Sequence, residues 1–161
     1  MGNEAAGTLI YVESSTIGKF LADLADKGET GRYKAIEHYD DLTSALEALK
    51  AMPPNKLQSI TTILVDRWGR KYDDLSDVSS EGQDKGVNPN DFARRIKLLY
   101  KGPRKQAPPV MLMTYYAADG SVRIPSSFDG SVRVKGGDAL SDIRRASDEV
   151  VRTRGQQPLP R

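Results

Sequence analysis

The stretch that decides the fold is Ile60-Thr-Thr-Ile-Leu-Val-Asp66. Residues 60–65 are the most continuous apolar run of the chain and lack the strict alternation of a half-exposed strand. Such a run is typical of a strand that is covered on both faces, as in a parallel sheet with helices on either side. The stretch therefore predicts a central strand, with Asp66 at its carboxyl end.

Four other segments are predicted strands because they are short and rich in β-branched or aromatic residues, or alternate between apolar and polar ones. They are residues 8–12, 33–39, 110–113 and 132–134.

Helical patterns alternate with these strands, because apolar residues recur at i, i+3, i+4 and i+7 after a capping residue. The apolar stripes lie within residues 17–24, 42–49, 92–99 and 140–150. Asp40 or Asp41 caps the second of these helices, and Pro53-Pro54 is expected to end it. Alternating strands and helices predict an α/β fold, a doubly wound five-stranded parallel sheet.

Two segments interrupt the alternation of strands and helices. Residues 67–87 are polar and have too little apolar content to pack alone, so we expect an inserted loop. In residues 117–131, Gly120, Pro125 and Gly130 break any amphipathic period, so we expect no regular helix.

The length and composition are those of a single cysteine-free domain. The 161 residues are enough to bury a core, and the lack of cysteine excludes disulfides and thiolate sites. No membrane span or signal peptide is recognisable, so we expect a cytoplasmic protein without a membrane partner. We expect flexible ends at residues 1–7 and 153–161 around a domain at residues 8–152.

The charge is nearly balanced, with 24 basic and 22 acidic residues, so the overall field favours nucleic acid only weakly. Local basic clusters leave a nucleic-acid contact as a minor alternative. These clusters comprise Arg67, Arg70, Lys71, Arg94, Arg95, Lys97, Lys101, Arg104 and Lys105. His38, the only histidine, has no companion ligands in the sequence, so we interpret it as a surface or structural residue.

Polar residues stand where the predicted strands end. Glu13 follows residues 8–12, Asp66 ends the central run, Thr114 follows residues 110–113, and Lys135 follows residues 132–134. Because the carboxyl ends of parallel strands share one edge of a sheet, we expect these four side chains to converge on one small site.

With these four residues in place, the chain resembles the receiver domain of bacterial response regulators over about residues 8–151. The resemblance implies a CheY-like, flavodoxin-like sheet with strand order 2-1-3-4-5. It implies that Asp66 accepts a phosphoryl group, that Thr114 and Lys135 contact that group, and that Glu13 and Asp66 hold Mg²⁺. A histidine kinase or phosphotransfer protein would be the partner in two-component signalling, and the domain would be a phosphoacceptor rather than an enzyme.

Some positions depart from the receiver pattern. Ser14 stands where the family has a second acid, Gly136 follows Lys135 where a proline is common, and residues 132–134 contain no aromatic side chain. These departures leave open an atypical receiver, or a pseudo-receiver that binds a protein partner without phosphorylation.

Overall fold

A computed structural model of the chain describes six segments of the sequence. They are residues 6–12, 33–66, 89–100, 106–113, 127–132 and 139–156. The predicted helix at residues 17–24 and the predicted loop at residues 67–87 lie outside these segments.

Five strands form one sheet in the order β2-β1-β3-β4-β5, and every neighbouring pair is parallel. The strands are β1 (Ala6–Val12), β2 (Tyr33–Tyr39), β3 (Ile60–Asp66), β4 (Val110–Met113) and β5 (Gly130–Val132). The predicted fold class and strand order are therefore confirmed, with residues 60–66 in the central strand.

Four helices lie within the described segments. They are α1 (Leu42–Lys50), α2 (Pro54–Ser59), α3 (Pro89–Leu99) and α4 (Ala139–Gln156). Asp41 caps α1, because its side chain accepts a hydrogen bond from the Ser44 amide at 2.6 Å. The cap satisfies one of the amides that a helix start leaves without an intrahelical partner.

The core consists of two apolar layers, one on each face of the sheet. Alternation along the strands divides them: Ile10 and Val65 face one layer, whereas Leu9, Tyr11 and Leu64 face the other. Helices α1 and α3 cover the first layer, and α4 covers the second. The apolar stripes of these helices are the ones that the sequence predicted. Residues spaced by about 3.6 positions lie on one side of a helix, and that side packs against the sheet.

Two sequence predictions were wrong in detail. Pro53-Pro54 does not simply end α1, because α1 stops at Lys50 and Pro54 starts α2. Proline suits the first position of a helix, because the N–H that it lacks would have no intrahelical partner there. The last strand begins at Gly130 and not at residue 132, so Gly130 belongs to a strand rather than to the irregular segment. The predicted strand residues 133 and 134 lie outside the described segments. Pairing with β4 outweighs the low strand propensity of glycine there.

The first strand and the last helix reach beyond residues 8 and 152. Strand β1 begins at Ala6, and α4 continues past residue 152 to Gln156. None of the helices in the described segments is long and apolar enough to cross a membrane.

Gly7 is required by a close approach of two backbone segments. A Cβ atom at this position would lie 2.1 Å from the Ser59 carbonyl oxygen, far inside van der Waals contact. Nearby, Thr8 pairs with Ile60 and Leu9 pairs with Thr62, so the pairing shifts by one residue. This shift is typical of a β-bulge, and it lies at the start of the central strand, directly after the end of α2.

Candidate functional site

The carboxyl ends of four strands lie side by side at one edge of the sheet. Val12 of β1 pairs with Val65 of β3, Asp66 pairs with Met113 of β4, and Met113 pairs with Val132 of β5. This row of paired residues is the edge at which ligands bind in open parallel sheets.

The structure places Asp66 as the last residue of β3, at this edge. Glu13 and Thr114 follow β1 and β4 directly in sequence, and Lys135 follows β5, but all three lie outside the described residues. The convergence of the four side chains therefore stays a prediction. The parallel strands and their register meet the condition on which that prediction depends.

The donor chemistry of the predicted metal site fits Mg²⁺. Mg²⁺ takes hard oxygen ligands, often one or two carboxylates with waters and phosphate oxygens. Glu13 and Asp66 would supply two carboxylates to such a shell. Within the six described segments, no group of three or more His, Cys, Asp or Glu side chains is placed to hold a metal ion.

Toward the amino ends of the strands, three buried hydroxyl groups form a chain. Thr62 donates to Ser147 at 2.7 Å, and Ser147 donates to the Thr61 carbonyl at 3.3 Å. Because Thr62 has used its only hydrogen, Tyr33 donates to Thr62 across their 2.9 Å contact. The chain joins β2, β3 and α4, and burial raises the pKa of Tyr33 to about 12.

A cavity of about 510 Å³ opens beside this hydroxyl chain. Its wall includes Tyr33, Thr62 and Ser147, together with Pro109 and Arg154. It lies toward the amino ends of the strands and is thus separate from the edge that carries Asp66.

Asp129 joins three elements near β5, and the sequence analysis missed it. Its carboxylate lies 3.2 Å from Lys97 Nζ of α3 and 3.1 Å from Arg154 Nη2 of α4. It also accepts a hydrogen bond from the Val110 amide at 2.8 Å. A lone aspartate before a short strand has no sequence pattern that would have distinguished it from a turn residue.

The basic cluster on α3 is partly occupied by internal contacts. Lys97 binds the Ser127 carbonyl at 2.5 Å as well as Asp129, and Arg94 pairs with Asp91 one turn earlier. The remaining predicted members, apart from the exposed Arg95, lie outside the described residues. A cation held by a carboxylate contributes less to a phosphate-binding surface, so the nucleic-acid alternative gains no support from α3.

His38 lies in β2, as predicted, with its ring 6.1 Å from that of Tyr11. Its Nε2 atom is 3.9 Å from Asp40, whose side chain is largely exposed. These neighbours support the structural interpretation of this histidine.

Comparison with known proteins finds similarity at the level of structure. No protein family description matches the sequence. No curated protein matches it either.

Several solved structures share the fold. A response regulator receiver domain protein from Clostridium thermocellum superposes with a TM-score of 0.53 at 12% identity, over 92% of this chain and 97% of that one. The chemotaxis response regulator CheY4 of Vibrio cholerae gives 0.53 at 9% identity, over 91% and 99%. A chain from the complex of the CheA3 P1 domain with CheY6 of R. sphaeroides gives 0.54 at 14% identity, over 92% and 98%. The chain thus has the fold of response regulator receiver domains.

Proposed function

We propose that the chain is an atypical receiver domain of two-component signalling and accepts a phosphoryl group on Asp66. The observation that supports this most is the position of Asp66 at the carboxyl end of the central strand of a parallel 2-1-3-4-5 sheet. Residues at that edge of such a sheet come from several strands, so they can act together on one ligand.

In the proposed reaction, a carboxylate oxygen of Asp66 attacks the phosphorus atom of the donor. A new P–O bond forms to Asp66, the P–O bond to the leaving group breaks, and the leaving group departs with that electron pair. With acetyl phosphate as the donor, the leaving group is acetate, and the protein gains one phosphoryl group.

Charge on the transferring oxygens has to be neutralised, and the neighbouring residues are suited to that task. The ammonium group of Lys135 would pair with a phosphoryl oxygen, and the Thr114 hydroxyl would donate a hydrogen bond to another. Mg²⁺ held by Glu13 and Asp66 would supply further positive charge when bound.

The proposed partner is a histidine kinase or a phosphotransfer protein. One structure with the same fold comes from a complex between CheY6 and the P1 domain of CheA3 of R. sphaeroides. By this proposal the chain would meet its partner in the cytoplasm and would signal through protein contacts.

The test is an intact-mass measurement after incubation with acetyl phosphate and Mg²⁺. Wild type should gain the mass of one phosphoryl group, and Asp66→Asn should gain none. Asp148→Asn is the matched control, because the Asp148 side chain is 66% exposed on α4 and borders the cavity toward the amino ends of the strands, away from the Asp66 edge. No gain on wild type, or the same gain on Asp66→Asn, would refute phosphorylation of Asp66.

A pseudo-receiver that acts without phosphorylation is the second candidate. It is favoured by Ser14, which removes one carboxylate from the place where the receiver pattern has an acidic pair. On this alternative, Asp66→Ala binds the protein partner as tightly as wild type does. Loss of binding in that variant would count against it.

A further inference from the structure

The cavity beside the hydroxyl chain has the size of a small-molecule site. Its volume of about 510 Å³ falls within the range of about 300–1,000 Å³ that is typical of ligand pockets. Its described wall comes from the start of β3, the segment before β4 and the carboxyl-terminal half of α4. Asp66 is not part of that wall, so a ligand here would occupy a place separate from the proposed phosphoacceptor.

Much of the described wall is held in place before any ligand binds. Tyr33, Thr62 and Ser147 are buried and joined by hydrogen bonds, so their side chains are fixed. Another part of the wall is Pro108-Pro109, whose rings fix two successive φ angles. A wall that is rigid before binding lowers the entropy cost of binding.

The wall also offers apolar surface to the solvent. Val151 of α4 is 53% exposed, and within the described segments only Leu98 is another large apolar side chain with such exposure. Val151 borders the cavity together with Ile60 and Ala107, whereas Leu98 does not. Covering Val151 with an apolar group would remove apolar surface from water, which is favourable. The cavity therefore suits a ligand with an apolar body.

The charges on the described wall favour a ligand with a single negative charge. Arg152 and Arg154 supply two cations to the wall, and Asp148 supplies one carboxylate. The Asp148 carboxylate already pairs with Arg144, one turn earlier on α4, at 3.5 Å. The excess of one positive charge at the cavity complements a monoanion.

The two arginines differ in how firmly they are held. Arg154 shares the Asp129 carboxylate with Lys97, so two cations meet one negative charge there and one positive charge remains uncompensated. Arg152 pairs with Glu149 on the same helix, and both side chains are more than half exposed. An exposed pair of this kind contributes little to stability, so Arg152 can turn toward a ligand at small cost.

We propose that this cavity binds a small organic carboxylate, an apolar ring or chain that carries one carboxylate group. The apolar body would lie against Val151 and Pro109. The carboxylate would accept hydrogen bonds from Arg152, whose planar fork of N–H groups matches two carboxylate oxygens. The site is independent of phosphorylation, so the inference holds whether or not Asp66 accepts a phosphoryl group.

The test is a titration of the ¹⁵N-labelled full chain with naphthoate, followed by two-dimensional NMR. The amide signals of Thr62, Ala107 and Val151 should shift, with a dissociation constant on the order of 1 mM or below for a ligand of this size. The neutral analogue naphthamide has nearly the same shape and should bind more weakly, because it lacks the charge that pairs with Arg152.

Three variants locate the apolar and the charged parts of the site. Arg152→Gln should weaken naphthoate binding roughly fivefold, the size expected of an exposed ion pair. Val151→Glu places a like charge on the apolar wall and should weaken it by roughly tenfold or more. Arg145→Gln is the matched control, because Arg145 is exposed on the same helix but does not border the cavity. Since all three side chains are exposed, the variants should fold, and their own NMR spectra check this.

The outcomes separate clearly. Shifts at the wall residues, with weaker binding to Arg152→Gln and Val151→Glu but not to Arg145→Gln, support the inference. An absence of binding to wild type, shifts confined to residues away from the cavity, or equal weakening by both arginine variants would overturn it. Naphthamide that binds as tightly as naphthoate would overturn the assignment of a carboxylate ligand.

Discussion

Replacement of Thr62 by valine tests the buried hydroxyl chain most sharply. Thr62 is 1% exposed, and valine has nearly the same shape, so the change removes a hydroxyl group and little packing. Tyr33 then loses the acceptor for its O–H hydrogen, whereas Ser147 still donates to the Thr61 carbonyl. The change removes two buried hydrogen bonds of Thr62, to Tyr33 and to Ser147, and each contributes about 0.5–1.5 kcal/mol. We therefore expect Thr62→Val to lower the free energy of unfolding by about 2 kcal/mol.

The direction of the hydrogen bonds predicts a second result. Tyr33→Phe removes the donor itself, and Thr62 still donates to Ser147, so this variant should cost less than Thr62→Val does. Thr62→Val made in the Tyr33→Phe background should cost about 1–2 kcal/mol less than it does in wild type. The assay is equilibrium unfolding in urea, followed by circular dichroism, with the slope of the transition checked for constancy. Strictly additive losses, or a larger loss for Tyr33→Phe, would refute the assigned direction of the chain.

Three further predictions concern stability. Gly7→Ala should cost about 1–3 kcal/mol in urea unfolding, because the new Cβ would overlap a carbonyl oxygen; an unchanged midpoint would contradict that close approach. Burial raises the pKa values of Tyr33 and Tyr100 to about 12, against about 10 in the unfolded chain. The unfolded chain therefore releases these protons first, so stability that is fully present below about pH 10 should fall as the pH rises toward 12. Unfolding free energies that stay level above pH 10 would show that these phenols are not buried. Asp41→Ala should lower the free energy of unfolding by about 1 kcal/mol, because it removes the cap of α1. The neighbouring variant Asp40→Ala should change it by less than about 0.5 kcal/mol. Equal effects of the two variants would argue against the cap.

The sheet could be predicted from sequence because its strands are marked by local patterns. Residues 33–39 and 110–113 were predicted with the bounds that the structure shows, and residues 60–65 were recognised as the central strand. These segments alternate between apolar and polar residues or form a continuous apolar run. The same apolar residues are the ones that become buried when the sheet forms, so the sequence pattern indicates the strands directly.

The parts that sequence reasoning missed depend on contacts between distant residues. Strand β5 begins at Gly130 because it pairs with β4 and is anchored by Asp129, and neither glycine nor a single aspartate suggests a strand. Helix α2 was missed because proline was taken only as a stop, although it also suits a first helical position.

The candidate site was predictable only as a set of positions. Asp66 is confirmed at the end of β3, since strand ends follow from the apolar run before it. The meeting of Glu13, Thr114 and Lys135 with Asp66 depends on loop geometry after each strand, which periodicity does not determine.

The most direct measurement of the central claim is to locate the phosphoryl group after reaction of wild type with acetyl phosphate and Mg²⁺. Peptide mapping by mass spectrometry under conditions that preserve an acyl phosphate would identify the modified residue. The account predicts a single phosphoryl group on Asp66. A group on any other residue, or a protein that takes up none, would contradict it.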